Sequence, residues 1–381
     1  MTLLRWLNSV SYLMQKEFRQ IFRDKAMLRV IFIAPMMQLL ILSYATTTDL
    51  RNIKLAVLDE DHTEESRELG RLFYQNTMFV PAPTVENPAQ LQQLLMDGQA
   101  DITVWIPTGY ARDVAAGGSS VVSMAVNGQN SSIAGRAQGY AESIVRGAAN
   151  DILDARLLKH PEQAKRIHRI ESVTRFFYNP QLESRFYMVP AIVVILLTLI
   201  AGMLTGMAIV KEKEIGTLEQ LLVTPLTPGQ LIAGKVMPFV ILSFIELSLV
   251  STIAVLWFRL PLVGSLWLLA LCAFTFIMVA SGGGLLASTV SQTQSQAMLT
   301  IWFFLMFGIM TSGFFYPVEN MPPWIYYLTY TNPMRYIMAI NRSIFLKGAG
   351  FVDVLPNLAP MAAMGVMTFG IAVLRFRKRL G

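Results

Sequence analysis

Residues 186–210 read FYMVPAIVVILLTLIAGMLTGMAIV, and residues 211–214 that follow read KEKE. Twenty-five uncharged residues in a helix reach about 37 Å, more than the hydrocarbon core of a bilayer, and a charge cluster at one end marks where such a helix leaves it. Five further stretches have the same character, 28–46, 236–258, 266–290, 297–316 and 354–374. The composition agrees: of 381 residues 54% are hydrophobic and only 15% charged, with a mean hydropathy of +0.47. The sequence therefore predicts a polytopic α-helical membrane protein with six transmembrane helices. It excludes an ordinary soluble enzyme and, at a formal charge of only +6, a disordered chain. Twenty-seven residues precede the first stretch, too many for a normal signal-peptide n-region, so that stretch is expected to be a retained helix.

Lysine and arginine set the expected orientation. Six lie in the first 29 residues (Arg5, Lys16, Arg19, Arg23, Lys25, Arg29) and four in the tail 375–381. The long segment 47–185 holds 14 of them against 17 acidic residues, whereas the rest of the chain holds 17 against 8. Both termini are expected in the cytoplasm and 47–185 outside. The positive charge then reflects membrane asymmetry, and no nucleic-acid partner is expected. Within 1–27, Val10, Met14, Phe18, Ile21 and Phe22 alternate with Lys16, Arg19 and Arg23, which predicts an interfacial amphipathic helix facing membrane lipid.

Segment 47–185 alternates β-like and helical patterns, predicting an inserted α/β domain with a mixed sheet. Strands are expected at 53–58, 101–106 and 121–126. Helices are expected at 64–75, after the Asn87-Pro88 cap as far as Gly98, and at 133–159. His62, His160 and His168 have no zinc-ligand spacing, Asp59-Glu60-Asp61 reads as a solvated turn, and the single Cys272 lies in an apolar run. No metal site and no catalytic residue are expected.

The loop 211–235 reads KEKEIGTLEQLLVTPLTPGQLIAGK. Leu218, Leu221 and Leu222 share one helical face, Lys213, Glu214 and Glu219 are polar, and Pro225 ends the run, so a short amphipathic helix is predicted here. Gly229, Gly234 and Lys235 match the skeleton of a phosphate-binding loop, but Val236 stands where Ser or Thr must hold magnesium. Lys235 instead suits an interfacial anchor at the start of the third stretch.

These residues resemble the permease subunits of ABC-2 type exporters. The resemblance rests on the Gly-Thr-x-Glu-x-Leu-Leu-x-Thr-Pro pattern inside 212–225, on Gly234-Lys235, and on Ser312-Gly-Phe-Phe-Tyr-Pro317, Met321-Pro-Pro-Trp324 and Asn332-Pro-Met-Arg-Tyr336. The layout, with a large domain after the first span, matches as well, so the resemblance covers nearly the whole chain. It implies a permease half that pairs with a second permease subunit and with separate ABC ATPase subunits in a bacterial inner membrane. ATP and Mg would be used by those ATPase subunits, and this chain would bind no cofactor. It further implies that 211–235 carries the coupling helix, with Glu212, Glu214, Gly216, Thr217, Glu219, Thr224 and Pro225 toward the ATPase. Drug or other lipophilic cargo and a periplasmic adaptor protein follow from the subgroup it most resembles; sodium-extrusion permeases share the layout.

Region 317–353 is rich in proline and interfacial aromatics, predicting short broken helices that re-enter the outer leaflet and cap a path involving Phe314, Phe315 and Tyr316. Glu246 is the only acid inside a predicted span, and such a group is either functional or hydrogen-bonded to a neighbour such as Ser243 or Ser248. Gly202 and Gly206, and Gly282 to Gly284, permit close helix approach, expected within one subunit. An ion-coupled secondary transporter would be expected to carry more intramembrane ionisable groups and repeat symmetry; a receptor would need neither six spans nor the amphipathic loop.

Overall fold

The computed structural model describes residues 3–45, 53–116, 120–128, 131–159, 178–179, 183–217 and 226–378. The chain divides into two units, Met1–Thr47 with Phe176–Gly381, and Thr48–Arg175.

In the first unit six helices are long and apolar enough to cross a membrane: Lys25–Ala45, Ser184–Ile215, Pro228–Leu256, Leu266–Val290, Gln294–Thr311 and Phe351–Arg375, here spans 1 to 6. Span 2 is longer than expected. Nothing between Val210 and Lys211 can stop a helix, so the helix runs on through KEKE and ends only at Gly216, whose left-handed φ of +79° ends it as the C-terminal cap. Span 3 begins earlier than expected, at Pro228, because Thr227 and Gln230 form a capping box ahead of it. Spans 1 and 2 each contain a π-turn, at Arg29–Ile33 and Leu199–Leu204.

The glycine motifs face each other inside one subunit. A Cβ on Gly284 would lie 2.1 Å from the Gly202 carbonyl oxygen, and one on Gly206 would lie 2.8 Å from the Gly284 carbonyl oxygen. Spans 2 and 4 are thus in backbone contact, reinforced where the Ser281 hydroxyl donates to the Ala201 carbonyl at 3.1 Å. Gly282 faces span 6 instead, its Cβ position 3.0 Å from the Phe369 nitrogen, while Gly283 meets nothing within 4 Å. Gly284→Ala should therefore cost at least ~1–3 kcal/mol, because a backbone oxygen cannot rotate away. Gly283→Ala should be neutral or stabilising, since alanine favours a helix by about 1 kcal/mol over glycine. Thermal unfolding of the two purified variants checks the contrast.

The proline-rich region forms the expected broken helices, Val318–Asn320, Pro323–Thr329 and Pro333–Arg342, followed by a π-turn, Ser343–Lys347. Pro333–Arg342 folds back into the bundle and buries Ile337, Met338 and Ile340 in the main core. The irregular stretch before it, 315–324, stays mostly exposed. Asn332 fixes the start of Pro333–Arg342: its Oδ1 accepts from Met334 N at 2.9 Å, while its Nδ2 donates to the Gly308 carbonyl at 2.7 Å and to Thr311 at 2.9 Å. Arg342 fixes its end, donating to the carbonyls of Tyr187 (3.2 Å) and Gly313 (3.1 Å) with its guanidinium 3.5 Å from the Tyr187 ring centroid.

The second unit holds a four-stranded mixed sheet of order β2-β1-β3-β4, with β1 Ile53–Asp59, β2 Phe79–Pro81, β3 Ile102–Ile106 and β4 Ser123–Val126. β1 pairs parallel with β2 and β3, and β3 pairs antiparallel with β4. The central strands are buried on both faces, as parallel pairing requires. Ile53 and Leu55 pack with Leu69, Phe73, Ala137 and Ala141 on one side, and Ala56 and Leu58 pack with Leu91 and Leu94 on the other. The helices Glu64–Gln75, Pro88–Met96 and Ser131–Lys159 lie where the sequence puts them; β2 is too short to carry an alternating pattern.

The Asp59-Glu60-Asp61 turn holds this unit together. Asp59 accepts from the nitrogens of Asp61 and His62 and from the Ser66 hydroxyl. Asp61 accepts from Gly109 N at 2.6 Å, Ala111 N at 2.9 Å and Thr63 Oγ1 at 2.8 Å. Those donors, led by Ala111 N, hold the Asp61 carboxyl below its usual range. Among the described residues no three His, Cys, Asp or Glu side chains converge as a metal site; His160 and His168 lie outside them.

Candidate functional site

The helix Leu3–Arg23 presents to the bundle the stripe Val10, Leu13, Glu17 and Ile21, all buried, rather than the expected face centred on Met14 and Phe18. Leu13 enters the notch left by Gly234, where a Cβ would come within 2.6 Å of it. Glu17 sits in the middle of this apolar stripe and is 4% exposed. Opposite it is Lys235, 1% exposed. The expected interfacial anchor is thus a fully buried ammonium, because the N-terminal helix covers the start of span 3.

Two lysines and two glutamates close a ring of alternating charge. Lys235 Nζ lies 3.0 Å from Glu17 Oε1 and 2.7 Å from Glu212 Oε1, and Lys16 Nζ lies 2.8 Å from Glu212 Oε1 and 3.4 Å from Glu17 Oε1. Burying one ion alone costs several kcal/mol, and only close, matched partners offset that. Burial works against the charge on Lys16, but its hydrogen bond to Glu212 and the field of both glutamates outweigh it and raise its pKa above the ordinary lysine value.

The other charges of KEKE reach in another direction. Lys213 Nζ donates to the Ser291 carbonyl at 2.6 Å, at the C-terminal end of span 4. Glu214 Oε2 accepts from the backbone and side-chain nitrogens of Gln294, at 3.1 and 3.0 Å, in the first turn of span 5. A cation thus meets a helix C-terminus and an anion a helix N-terminus, the favourable sense for each helix dipole. Thr217 Oγ1 donates to the Glu212 carbonyl at 3.3 Å. Over three residues the end of span 2 is tied to the N-terminal helix and to spans 3, 4 and 5. Its helix then stops at Gly216; Thr217, again helical, is the last residue described before 226, and span 3 begins at Pro228.

Of the residues singled out in the sequence, Glu212 turns inward at 6% exposure, and Glu214 is exposed and engaged with span 5. Gly216 and Thr217 sit at the root of the loop. Leu218, Glu219, Leu221, Leu222, Thr224 and Pro225 lie outside the described residues. Phe314 is buried in the main core, whereas Phe315, edge-on to it at 4.6 Å, and Tyr316 are exposed. Glu246 is 2% exposed, and neither carboxylate oxygen has a hydrogen-bond partner among the described residues. The Ser248 hydroxyl donates instead to the Phe244 carbonyl, and the Ser243 hydroxyl is itself unpartnered. Glu17 escaped the sequence reading, although as the one acid among the first 23 residues, in register with Val10, Leu13 and Ile21, it carried a signal.

A family model described as "ABC-2 family transporter protein" matches residues 25–374, nearly the whole of this bundle and its inserted unit. The chain belongs to the ABC-2 family. Relatives extend over the full length. The chain is 28% identical over 368 residues to the "probable multidrug ABC transporter permease YbhR" of Escherichia coli, covering 97% of this chain and 98% of that one. It is likewise 28% identical to the "inner membrane transport permease YhhJ" and to the "probable multidrug ABC transporter permease YbhS" of the same organism, each with 99% of both chains covered. Membership makes this ABC-2 chain a multi-pass membrane permease and implies ATPase partner subunits. The matches include no enzyme family. The charge ring and the ties to spans 4 and 5 all lie within the matched region, apart from Lys16 and Glu17.

Proposed function

We propose that this chain is the membrane-spanning half of an ATP-driven exporter, pairing with a second permease subunit around a translocation path. Separate ATPase subunits bind ATP and Mg, and this chain holds no cofactor. The observation that carries the reading is the wiring at the end of span 2. Whatever moves the 216–227 loop pulls on Gly216, and through Glu212, Lys213 and Glu214 on the N-terminal helix and three further spans. A loop that merely linked two spans would need no such ties. On this reading the loop is the coupling element, facing the cytoplasm with both termini. The inserted α/β unit lies outside a bacterial inner membrane, where a periplasmic adaptor can reach it. The names of two of the relatives, which print "multidrug", support drugs as cargo.

Coexpression with an ATPase subunit and copurification, followed by cargo-stimulated ATP hydrolysis, tests the assembly. Failure of any ATPase subunit to copurify would refute it. A cysteine at Gln99, exposed in the inserted unit, in a Cys272→Ser background tests the orientation. It should react with an impermeant maleimide in intact spheroplasts; reaction only after permeabilisation would reverse the topology.

Glu246 favours a second, ion-coupled component. A buried acid without a partner is costly and is retained where it serves a path. Glu246→Gln should leave protein levels and thermal stability equal or higher, because no hydrogen bond is lost, while export falls. Unchanged export across pH would reduce Glu246 to a bystander.

A further inference from the structure

Beside the charge ring lies a partly open cavity of about 470 Å³, lined by the N-terminal helix, span 1 and span 2, with Phe239 of span 3 and Gln294 of span 5. That volume is in the range of drug-sized sites. Both π-turns contribute to its wall: Val30, Leu199, Ile200, Met203 and Leu204 line it, and a π-turn widens a helix and displaces its side chains from regular register. The wall is mostly apolar, and three of its side chains are the methionines Met27, Met203 and Met207, set beside Phe239. Unbranched thioethers adapt to cargoes of different shape.

The rim has the opposite character. Glu17, Asp24 and Glu212 face it against the single ammonium of Lys211. The counter-ions Lys16 and Lys235 pair with the two glutamates and do not line the cavity, although Lys16, Arg19 and Arg23 line a neighbouring cleft that shares Asp24. Asp24 uses Oδ1 to cap the first turn of span 1, accepting from Ala26 N and Met27 N at 3.0 and 3.1 Å. Its charge is set against none of the ion pairs that tie Glu17 and Glu212.

We infer that this cavity is a binding site for amphipathic organic monocations, with the apolar body among the methionines and Phe239 and the cationic centre at the acidic rim. This rests on the proposed export of drugs and names the charge of the cargo and the place where it is held. A neutral lipophile would gain nothing from the rim, and an anion would meet the carboxylate of Asp24, which is in none of the ion pairs that compensate Glu17 and Glu212. The cavity adjoins Glu212, so an occupant sits against the residue that ties span 2 to the N-terminal helix.

Tetraphenylphosphonium and tetraphenylborate are the probes, since they share size and shape and differ in the sign of charge. Binding is measured on the purified full-length chain in maltoside micelles, without ATPase. The cation should bind one per chain, and the anion should bind at least tenfold more weakly. Asp24→Asn keeps the helix cap but removes the charge, and should weaken the cation about tenfold, the scale of one partly screened contact. Met207→Trp fills the cavity and should abolish binding, with the melting temperature reporting that the variant is folded. Equal affinity for the two ions, or cation binding that survives both substitutions, would overturn the assignment. Loss of the cation on doping micelles with phosphatidylethanolamine but not phosphatidylglycerol would assign the cavity to a lipid ammonium and overturn the cargo reading. Because no ATPase is present, failure here leaves the exporter reading standing. Failure of ATPase copurification would leave a cation site in a protein of another class.

Discussion

Lys235→Met should release the N-terminal helix from the bundle. The substitution leaves Glu17 and Glu212 buried beside each other with only the half-exposed Lys16 between them. Removing one partner of a buried ion network costs about 3–5 kcal/mol, because the remaining charges have lost their compensation rather than merely one attraction. The loss falls on the contact of the helix with span 3, so trypsin should cut at Arg19 and Arg23 far faster than in the wild type. A second substitution identifies the cause. Glu17→Met together with Lys235→Met removes one charge of each sign and leaves Lys16 paired with Glu212 at 2.8 Å. Since apolar replacement of a whole buried pair is often neutral, the double variant should recover most of the protease resistance. If Lys235→Met is already as protease-resistant as the wild type, the helix is held by packing of Leu13 on Gly234 and not by charge.

Much of this arrangement was legible in the sequence, because it depends on patterns that survive without neighbours. Six apolar stretches, the Asn87-Pro88 helix start, and the strand runs 53–58 and 101–106 each carry their own local signal. The facing glycines were legible as motifs, and their distances are what tie span 2 to span 4. The charge ring was not legible as a unit. Lys16, Glu17, Glu212 and Lys235 come from three separate segments, and nothing local states that Lys235 will be covered. A lysine at the edge of an apolar run ordinarily snorkels to the interface; here a helix from the other end of the sequence lies over it. The same blindness displaced the loop: KEKE looked like its beginning, but the preceding helix runs on through it and ends at Gly216, whose φ is +79°. Asp61 shows the reverse case, an acidic turn whose partners at Gly109 and Ala111 lie 48 and 50 residues away.

Substitutions at the loop itself should separate ATP hydrolysis from transport. Gly216 ends the span-2 helix in a left-handed conformation, and its N–H donates to the carbonyls of Glu212 and Lys213. Proline there can adopt neither that φ nor that hydrogen bond, a cost of about 3 kcal/mol at the joint between loop and span. Alanine keeps the N–H and pays only ~1–2 kcal/mol for the backbone conformation. If force passes from the loop through Gly216 into the charge ring, export should fall in the order glycine, alanine, proline. All three proteins should still insert, since no span changes. Glu219→Lys probes the next link by reversing one charge on the face expected to meet the ATPase, and should weaken ATPase association by roughly tenfold if that contact is a close charge pair. The two variants should differ in kind: Gly216→Pro should retain the ATPase and hydrolyse ATP without export, whereas Glu219→Lys should bind the ATPase more weakly. Full export and full ATPase association in both would remove the loop from the mechanism. Transport would then have to be driven from within the bundle, and Glu246 would be the place to look.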